Sequence, residues 1–318
     1  MKKDKTAENQ APKTEYRVKN WPQYNKALVN RGSLTLWVDD KTLETWLNVN
    51  KSGLRGRPYL YNDTAIQALL TIGQVFHLPL RATQGFSASL FQLLKLDLPL
   101  PDYSTLSRRS KNLSINLHTH NLSTIKHLVI DSTGLKVYGE GEWKVRQHGI
   151  SKRRTWRKLH IAVDAESGQI TAAILTTNDV VDNTPLPALL DQTHLPFQFV
   201  AADGAYDCEN CYHDIKNKGA TALIPPRSTA TINGKNPSLS QRDDNLKQIQ
   251  ALGRDEWKNQ STYHQRSLSE TAMFRLKTIF SDKLRSRSFD NQVTEALIRC
   301  QALNKMSALG MPDSFPVV

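Results

Sequence analysis

Leu128-Val129-Ile130-Asp131 and Phe199-Val200-Ala201-Ala202-Asp203 each read as a short apolar run closed by a carboxylate. A carboxylate at the tip of a buried strand is costly unless it is solvated, paired or bound to a metal. Further strands are read at Lys158 to Asp164, at Ile170 to Thr176 and, with the second run, at Phe197 to Asp203. Thr184 with Pro185 opens a helix through Leu190, because proline suits the first helical position. Ala222 to Pro225 reads as a fifth short strand. Residues 226 to 245 are rich in Ser, Thr, Asn and charge and read as a mobile loop. Two long helices follow, from about Thr262 to Phe280 and from Asn291 to Ala308. Strands mixed with helices make this half of the chain α/β.

Upstream of a boundary drawn between residues 115 and 127 the pattern is helical. Ala65, Ile66, Leu69, Leu70, Ile72 and Val75 recur at helical spacing over 62–76. A second helix is read at 82–95 and a third at 104–113, with Pro99 and Pro101 forcing the break between them. Leu34 to Val38 reads as a strand-like patch, followed by a helix around Lys41 to Asn48. Residues 1–33 read as a polar arm, 34–120 as a helical, helix-turn-helix-like unit, 127–308 as the α/β unit and 309–318 as a tail.

The 42 Lys and Arg against 30 Asp and Glu leave a net charge of +12, which points to an anionic partner, nucleic acid first. No apolar run approaches the ~18 residues of a membrane span. The polar start of the chain lacks the apolar segment of a secretory signal, so a cytoplasmic, nucleoid-associated protein is expected. The three cysteines exclude a disulfide scaffold. Cys208 and Cys211 form a C-x-x-C pair with His213 nearby, but no second ligand pair follows at zinc-finger spacing. There is no G-x-x-x-x-G-K-[ST] and no G-x-S-x-G, so ATP use and a serine nucleophile are not indicated.

The last long helix but one carries Tyr263, Arg266, Glu270 and Lys277 at spacings of 3, 4 and 7. At ~100° per residue these share one sector of roughly 60°. Ala272, Met273, Leu276, Ile279 and Phe280 occupy a different, apolar face. Read alone, the stripe is either a solvated salt-bridging face or part of a site.

The string from Asp131 to Trp143 (DSTGLKVYGEGEW) resembles the first acidic motif of bacterial insertion-sequence transposases. Ala202-Asp203-Gly204-Ala205-Tyr206-Asp207 resembles their second. Tyr263-x2-Arg266-x3-Glu270-x6-Lys277 is similar to the Y-x2-R-x3-E-x6-K signature around their third acid. Pro101 to Arg109 also looks typical of the N-terminal region, and the insertion sequence five family is the closest group. The resemblance implies a ribonuclease H-like catalytic domain, with a mixed five-stranded sheet and flanking helices, preceded by a mainly helical DNA-binding domain. It implies that Asp131, Asp203 and Glu270 are the DDE triad and hold two divalent ions, Mg2+ with Mn2+ substituting. Hard Mg2+ prefers oxygen ligands, which suits the set. The implied function is a DNA transposase that binds the terminal inverted repeats of its element, cleaves a strand and joins it to target DNA, as a homodimer on DNA. Tyr263, Arg266 and Lys277 would contact DNA near the cut phosphate, with Lys136 as a further candidate. The alternatives are an inert sequence-specific DNA-binding regulator and a ribonuclease H-like nuclease without joining activity.

Two further basic segments are candidate DNA contacts. Lys152, Arg153, Arg154, Arg157 and Lys158 lie in a stretch interleaved with Trp143 and Trp156, and cations with aromatics suit distorted or single-stranded DNA. Arg108, Arg109 and Lys111 on the third N-terminal helix would face phosphates or base edges in a major groove. Arg55-Gly56-Arg57-Pro58 would suit a minor groove. Asp164, Asp179, Asp182 and Asp207 are read as turn or cap residues.

Overall fold

A computed structural model describes residues 15–48, 59–137 and 155–317. The strand β1 (Glu15–Val18) is followed by the helices α1 (Trp21–Asn30), α2 (Leu34–Trp37), α3 (Asp40–Glu44), α4 (Asp63–Val75), α5 (Leu80–Leu93) and α6 (Tyr103–Ser110). Then come β2 (Ile125–Val137), β3 (Trp156–Asp164), β4 (Ile170–Thr177), α7 (Leu186–Gln192), β5 (Phe197–Ala201), α8 (Glu209–Asn217) and β6 (Thr221–Leu223). The chain continues through α9 (Ser240–Leu252), α10 (Arg254–Gln260), α11 (Ser267–Phe280), β7 (Lys283–Leu284), α12 (Phe289–Ala308) and β8 (Ser314–Val317).

The main sheet runs β4-β3-β2-β5-β6. β2, β3 and β4 pair antiparallel, while β5 and β6 continue parallel to β2. The five expected strands are joined by a sixth, because β7 pairs in parallel with the far end of β2 at Lys136 and Val137. This is a correction to the five-stranded sheet. A two-residue strand carries no periodicity that a sequence pattern shows.

α11 and α12 cover one region of the sheet. Leu159, Ile161 and Val163 of β3 pack there with Ala272, Met273, Leu276 and Phe280 of α11 and with Ala296, Cys300 and Leu303 of α12. The apolar face expected on α11 is therefore the buried one. α7 and α8 close a second cluster with Leu128, Ile130 and Val200. The helices α4, α5 and α6 build a third around Trp46, Ile66, Leu69, Phe91 and Leu106, and Ile298 of α12 completes it. α12 thus packs against both the sheet's core and the helical core, the latter through Leu297 and Ile298. Thr294 donates to the Ser110 carbonyl at 2.6 Å, and Ser110 bonds Asn291 at 2.8 Å, so the end of α6 is fastened to α12.

Several sequence expectations change. Leu34 to Val38 is a helical turn rather than a strand, because Trp37 turns inward to 2% exposure and donates to the Arg31 carbonyl. The stretch read as an N-terminal arm forms β1 and α1. The tail forms β8, which pairs antiparallel with β1 from Glu15↔Val317 to Val18↔Ser314. Part of the stretch read as a mobile loop is the start of α9. Its polarity is spent inward: Asp243 accepts from the Asn233 amide, and Asn245 donates to the Ala222 carbonyl beside β6. The helix expected from Thr262 is broken, with Thr262 left-handed at φ 58° and a 3-10 turn at Tyr263–Arg266 before α11 begins. Among the described residues no helix is long and apolar enough to cross a membrane.

Candidate active site

β2 and β5 pair in parallel up to Val129↔Ala201. Residues two apart on a strand share a face, so Asp131 and Asp203 leave this ladder at the same level, each two residues past a paired partner. Asp131 is not at a strand tip as expected. β2 continues to Val137, paired on its other side with β3 at Asp131↔Ile161. What ends at Asp131 is the parallel ladder, and ligands of open α/β sheets bind where such ladders end. Below the carboxylates Val129, Ala165, Ala201 and Leu223 form a small apolar floor against which Leu268 of α11 packs. Ser269, next in the helix, reaches Asp131, so the start of α11 lies beside this end of the sheet.

Each acid is held differently. Asp203 caps the 3-10 turn Gly204–Tyr206, accepting from the Ala205 amide at 2.8 Å. Asp131 accepts from the Ser132 amide at 2.8 Å, from Arg266 at 3.1 Å and from the Ser269 hydroxyl at 3.2 Å. The other arm of the Arg266 guanidinium pairs with Glu270, one helical turn along. Arg266 therefore bridges two of the three acids. Burial still holds the Asp131 carboxyl above the ordinary carboxylate range, and neighbouring Asp203 adds to the rise, against the Ser132 amide, Arg266 and Ser269. Tyr263 stands at the same place: burial raises its phenol, and Asp203, Asp131 and Glu270 push the same way while Arg266 opposes.

The structure thus brings Asp131, Asp203, Glu270, Tyr263 and Arg266 together. Lys277 lies two helical turns further along α11, about 10 Å from Glu270 at 1.5 Å per residue. Four of the cations named as DNA candidates, Arg109, Arg157, Lys158 and Lys136, have internal partners. Arg109 pairs with Asp63, donates to the Tyr61 carbonyl and covers the Tyr59 ring. Arg157 donates to Gln292 at 2.8 Å and lies over Phe289. Lys158 holds the Val180 carbonyl and Asp182, at 2.8 and 3.0 Å. Arg108 and Lys111 are exposed at the end of α6. Lys136 is paired with Asp282 and lies over Trp156. Lys152, Arg153, Arg154 and Trp143 lie outside the described residues, as do Arg55 and Arg57.

Sequence reasoning passed over three groups here. Ser269 orients Asp131 from within the stripe. Asp182, read as a turn residue, is tied to Lys158. Tyr206 lies within the second motif. Burial pushes its phenol well up, Asp131, Asp182 and Asp203 push further, and its hydroxyl has no hydrogen-bond partner among the described residues. Cys208 and Cys211 stand 3.1 Å apart, Sγ to Sγ, and burial pushes the Cys211 thiol well up.

Residues 122–305, more than half of the chain, match a family model described as a transposase DDE domain, and residues 29–140 match a second model of the same description. The chain belongs to the DDE transposases. The match is to transposases of the insertion-sequence type, and it spans all three acids and the Arg266 bridge. A solved structure described as a piggyBac transposase synaptic complex with hairpin DNA covers 87% of this chain and 75% of its own, at 11% identity and a TM-score of 0.43.

A resident divalent ion is implied by the family. The donor chemistry fits: the three carboxylates offer hard oxygen ligands, and Asp203 adds to the rise of the buried Asp131 carboxyl, a repulsion that a cation would relieve. Among the described residues no three potential ligands are drawn together tightly enough to enclose an ion, and it is Arg266 that stands between Asp131 and Glu270.

Proposed function

We propose that this chain is the transposase of an insertion sequence, binding its terminal inverted repeats and performing strand cleavage and strand transfer through Asp131, Asp203 and Glu270. The observation that supports it most is the shared level of Asp131 and Asp203 at the end of the parallel ladder, with Glu270 linked to Asp131 through Arg266. The strand order, three antiparallel strands followed by two parallel ones, supports a ribonuclease H-like catalytic unit over 127–308. Residues 34–120 would read the repeats, and a homodimer would hold two element ends.

Asp131, Asp203 and Glu270 would hold divalent ions, Mg2+ or Mn2+. When bound, a pair of such ions activates an attacking oxygen and stabilises the leaving one in in-line displacement at phosphorus. The protein's own groups position the reactants. Ser132 and Ser269 fix the Asp131 carboxylate, and the 3-10 turn fixes Asp203. With an ion held by the carboxylates, Arg266 would be available to a DNA phosphate, for which its planar fork is suited. Tyr263 donates to an adjacent phosphate oxygen, and Lys277 holds the strand further along α11.

The test is strand transfer of DNA carrying the flanking element end into a plasmid, with Mg2+ or Mn2+. Asp131→Asn, Asp203→Asn and Glu270→Gln run alongside. Joining that requires the ion and vanishes in all three variants is the expected result. End-specific binding without cutting would favour a DNA-binding regulator, and cutting of a supplied end without joining would favour a plain nuclease.

A further inference from the structure

Away from the acids, a cleft of about 470 Å³ opens between the α4–α5 turn, the end of α6 and the loop from β7 into α12. Its cations are Lys111, Arg285 and Arg287, and Ser107, Ser286 and Ser288 add hydroxyls. One carboxylate, Glu295, is among its described lining residues. Glu295 is buried and neutralised by Arg299, whose side chain is 1% exposed. The same carboxylate accepts from the Arg285 and Ser286 amides, at 2.9 and 2.8 Å, so a buried ion pair sets the path of the loop that carries Arg285 and Arg287. Arg285 donates to the His77 carbonyl. The Arg287 and Lys111 side chains are exposed, and neither forms a hydrogen bond or ion pair with another described residue. The Ser288 hydroxyl, at the start of the 20-residue α12, is buried without a hydrogen-bond partner among the described residues. The cleft is net positive, donor-rich and open to solvent on one side.

β2 and β7 connect the cleft to the acid centre through the backbone. Lys136 lies five residues beyond Asp131 on β2, about 17 Å at the rise of a strand. It is in register with Lys283 of β7, and Arg285 and Arg287 follow at once in the chain. We propose that this cleft seats the phosphate backbone of the DNA being processed. Arg287 and Lys111 make the direct phosphate contacts, and Lys136 and Lys283 lie on the path back to Asp131. The inference rests on the transposase reading and adds to it a second, non-catalytic hold on the DNA.

The readout is salt dependence. Each phosphate neutralised by a cation contributes about 0.9 to the slope of log K against log salt on duplex DNA. Fluorescence anisotropy with the full chain and a labelled duplex is expected to show a slope reduced by about 0.9 in Arg287→Ala, by about 0.9 in Lys111→Ala, and by about 1.8 in the double variant. Lys247→Ala, on α9 and paired with Asp244, serves as the control and keeps the wild-type slope. Because both test residues are exposed, melting temperatures are expected to stay with the wild type. Unchanged slopes in both single variants would overturn the proposal. So would melting stabilisation by orthophosphate that Arg287→Ala abolishes while the duplex slope stays unchanged, since the cleft would then be a small-anion site. Cleavage with Mg2+ is measured in parallel. Protein that binds with the expected slopes but never cuts would refute the transposase reading and leave the cleft standing. Protein that cuts with wild-type slopes in every variant would do the reverse.

Discussion

Arg266→Ala should destabilise the metal-free protein by about 2 kcal/mol, and Asp131→Asn should abolish most of that cost. The figure comes from the two arms of the guanidinium. The arm to Asp131 is a charged hydrogen bond between largely buried partners, 24% and 15% exposed, and such bonds contribute about 1.5–3 kcal/mol. The arm to Glu270 reaches a carboxylate 57% exposed, so screening leaves it about 0–1 kcal/mol. Without Arg266 the Asp131 carboxylate keeps the Ser132 amide and the Ser269 hydroxyl but loses its cation. With asparagine at 131 there is no charge to abandon, and the same truncation should cost under about 1 kcal/mol. The assay is a double-mutant cycle by urea unfolding at neutral pH in EDTA, so that no divalent ion stands in for the missing cation. A coupling of about 1.5 kcal/mol is expected. Equal costs of Arg266→Ala in both backgrounds would refute the argument that Arg266 acts as the internal counter-ion of Asp131.

Three further outcomes test other parts of the structure. His160 is fully buried with its Nδ1 unpartnered among the described residues, and burial lowers its pKa to about 4. It folds neutral, the unfolded chain binds the proton, and stability is therefore lost as pH falls from about 6.5 towards 4. The loss should approach about 3 kcal/mol at ~1.4 kcal/mol per pKa unit, and urea midpoints for His160→Gln across that range should lack it. Glu295→Ala leaves Arg299 charged and buried without its partner, which should cost about 3–5 kcal/mol, visible as a lower melting temperature and early loss of protection in β7. Asn304→Ala removes the bonds to the Ile170 amide and carbonyl, at 2.8 and 2.7 Å. With both backbone groups buried, about 2–4 kcal/mol should be lost, read by denaturant titration, while Asn304→Asp should restore the acceptor alone.

The acids were legible because their signals are local. An apolar run closed by Asp marks Asp131 and Asp203, and the 3, 4, 7 spacing groups Arg266 with Glu270, although Arg266 lies in the 3-10 turn leading into α11. The helices α4 to α6 were legible for the same reason, with ends within about three residues of the periodicity. The fates of the cations were not. Arg109 meets Asp63 across 46 residues and Arg157 meets Gln292 across 135, and no window along the chain contains both partners. α9 was hidden for a related reason: its polar residues satisfy the backbone beside β6, so its composition looks like that of a loop. The pairing of β1 with β8 joins the two most distant described stretches of the chain. The Arg266 bridge was missed too. Its spacing to Glu270 was visible, but its hold on Asp131 is a property of the assembled sheet.

α12 gives the chain an order in time. Residues 289–308 supply one flank of the sheet's core and pin α6 through Asn291 and Thr294. A ribosome that has released residue 280 has already made all three acids, yet neither core has its last wall. Until α12 emerges, Leu276 lacks its neighbours from that helix, and the loop carrying Arg285 and Arg287 has no Glu295 to fix it. A nascent chain cut short before α12 would carry every acid of the centre and no stable frame to aim them.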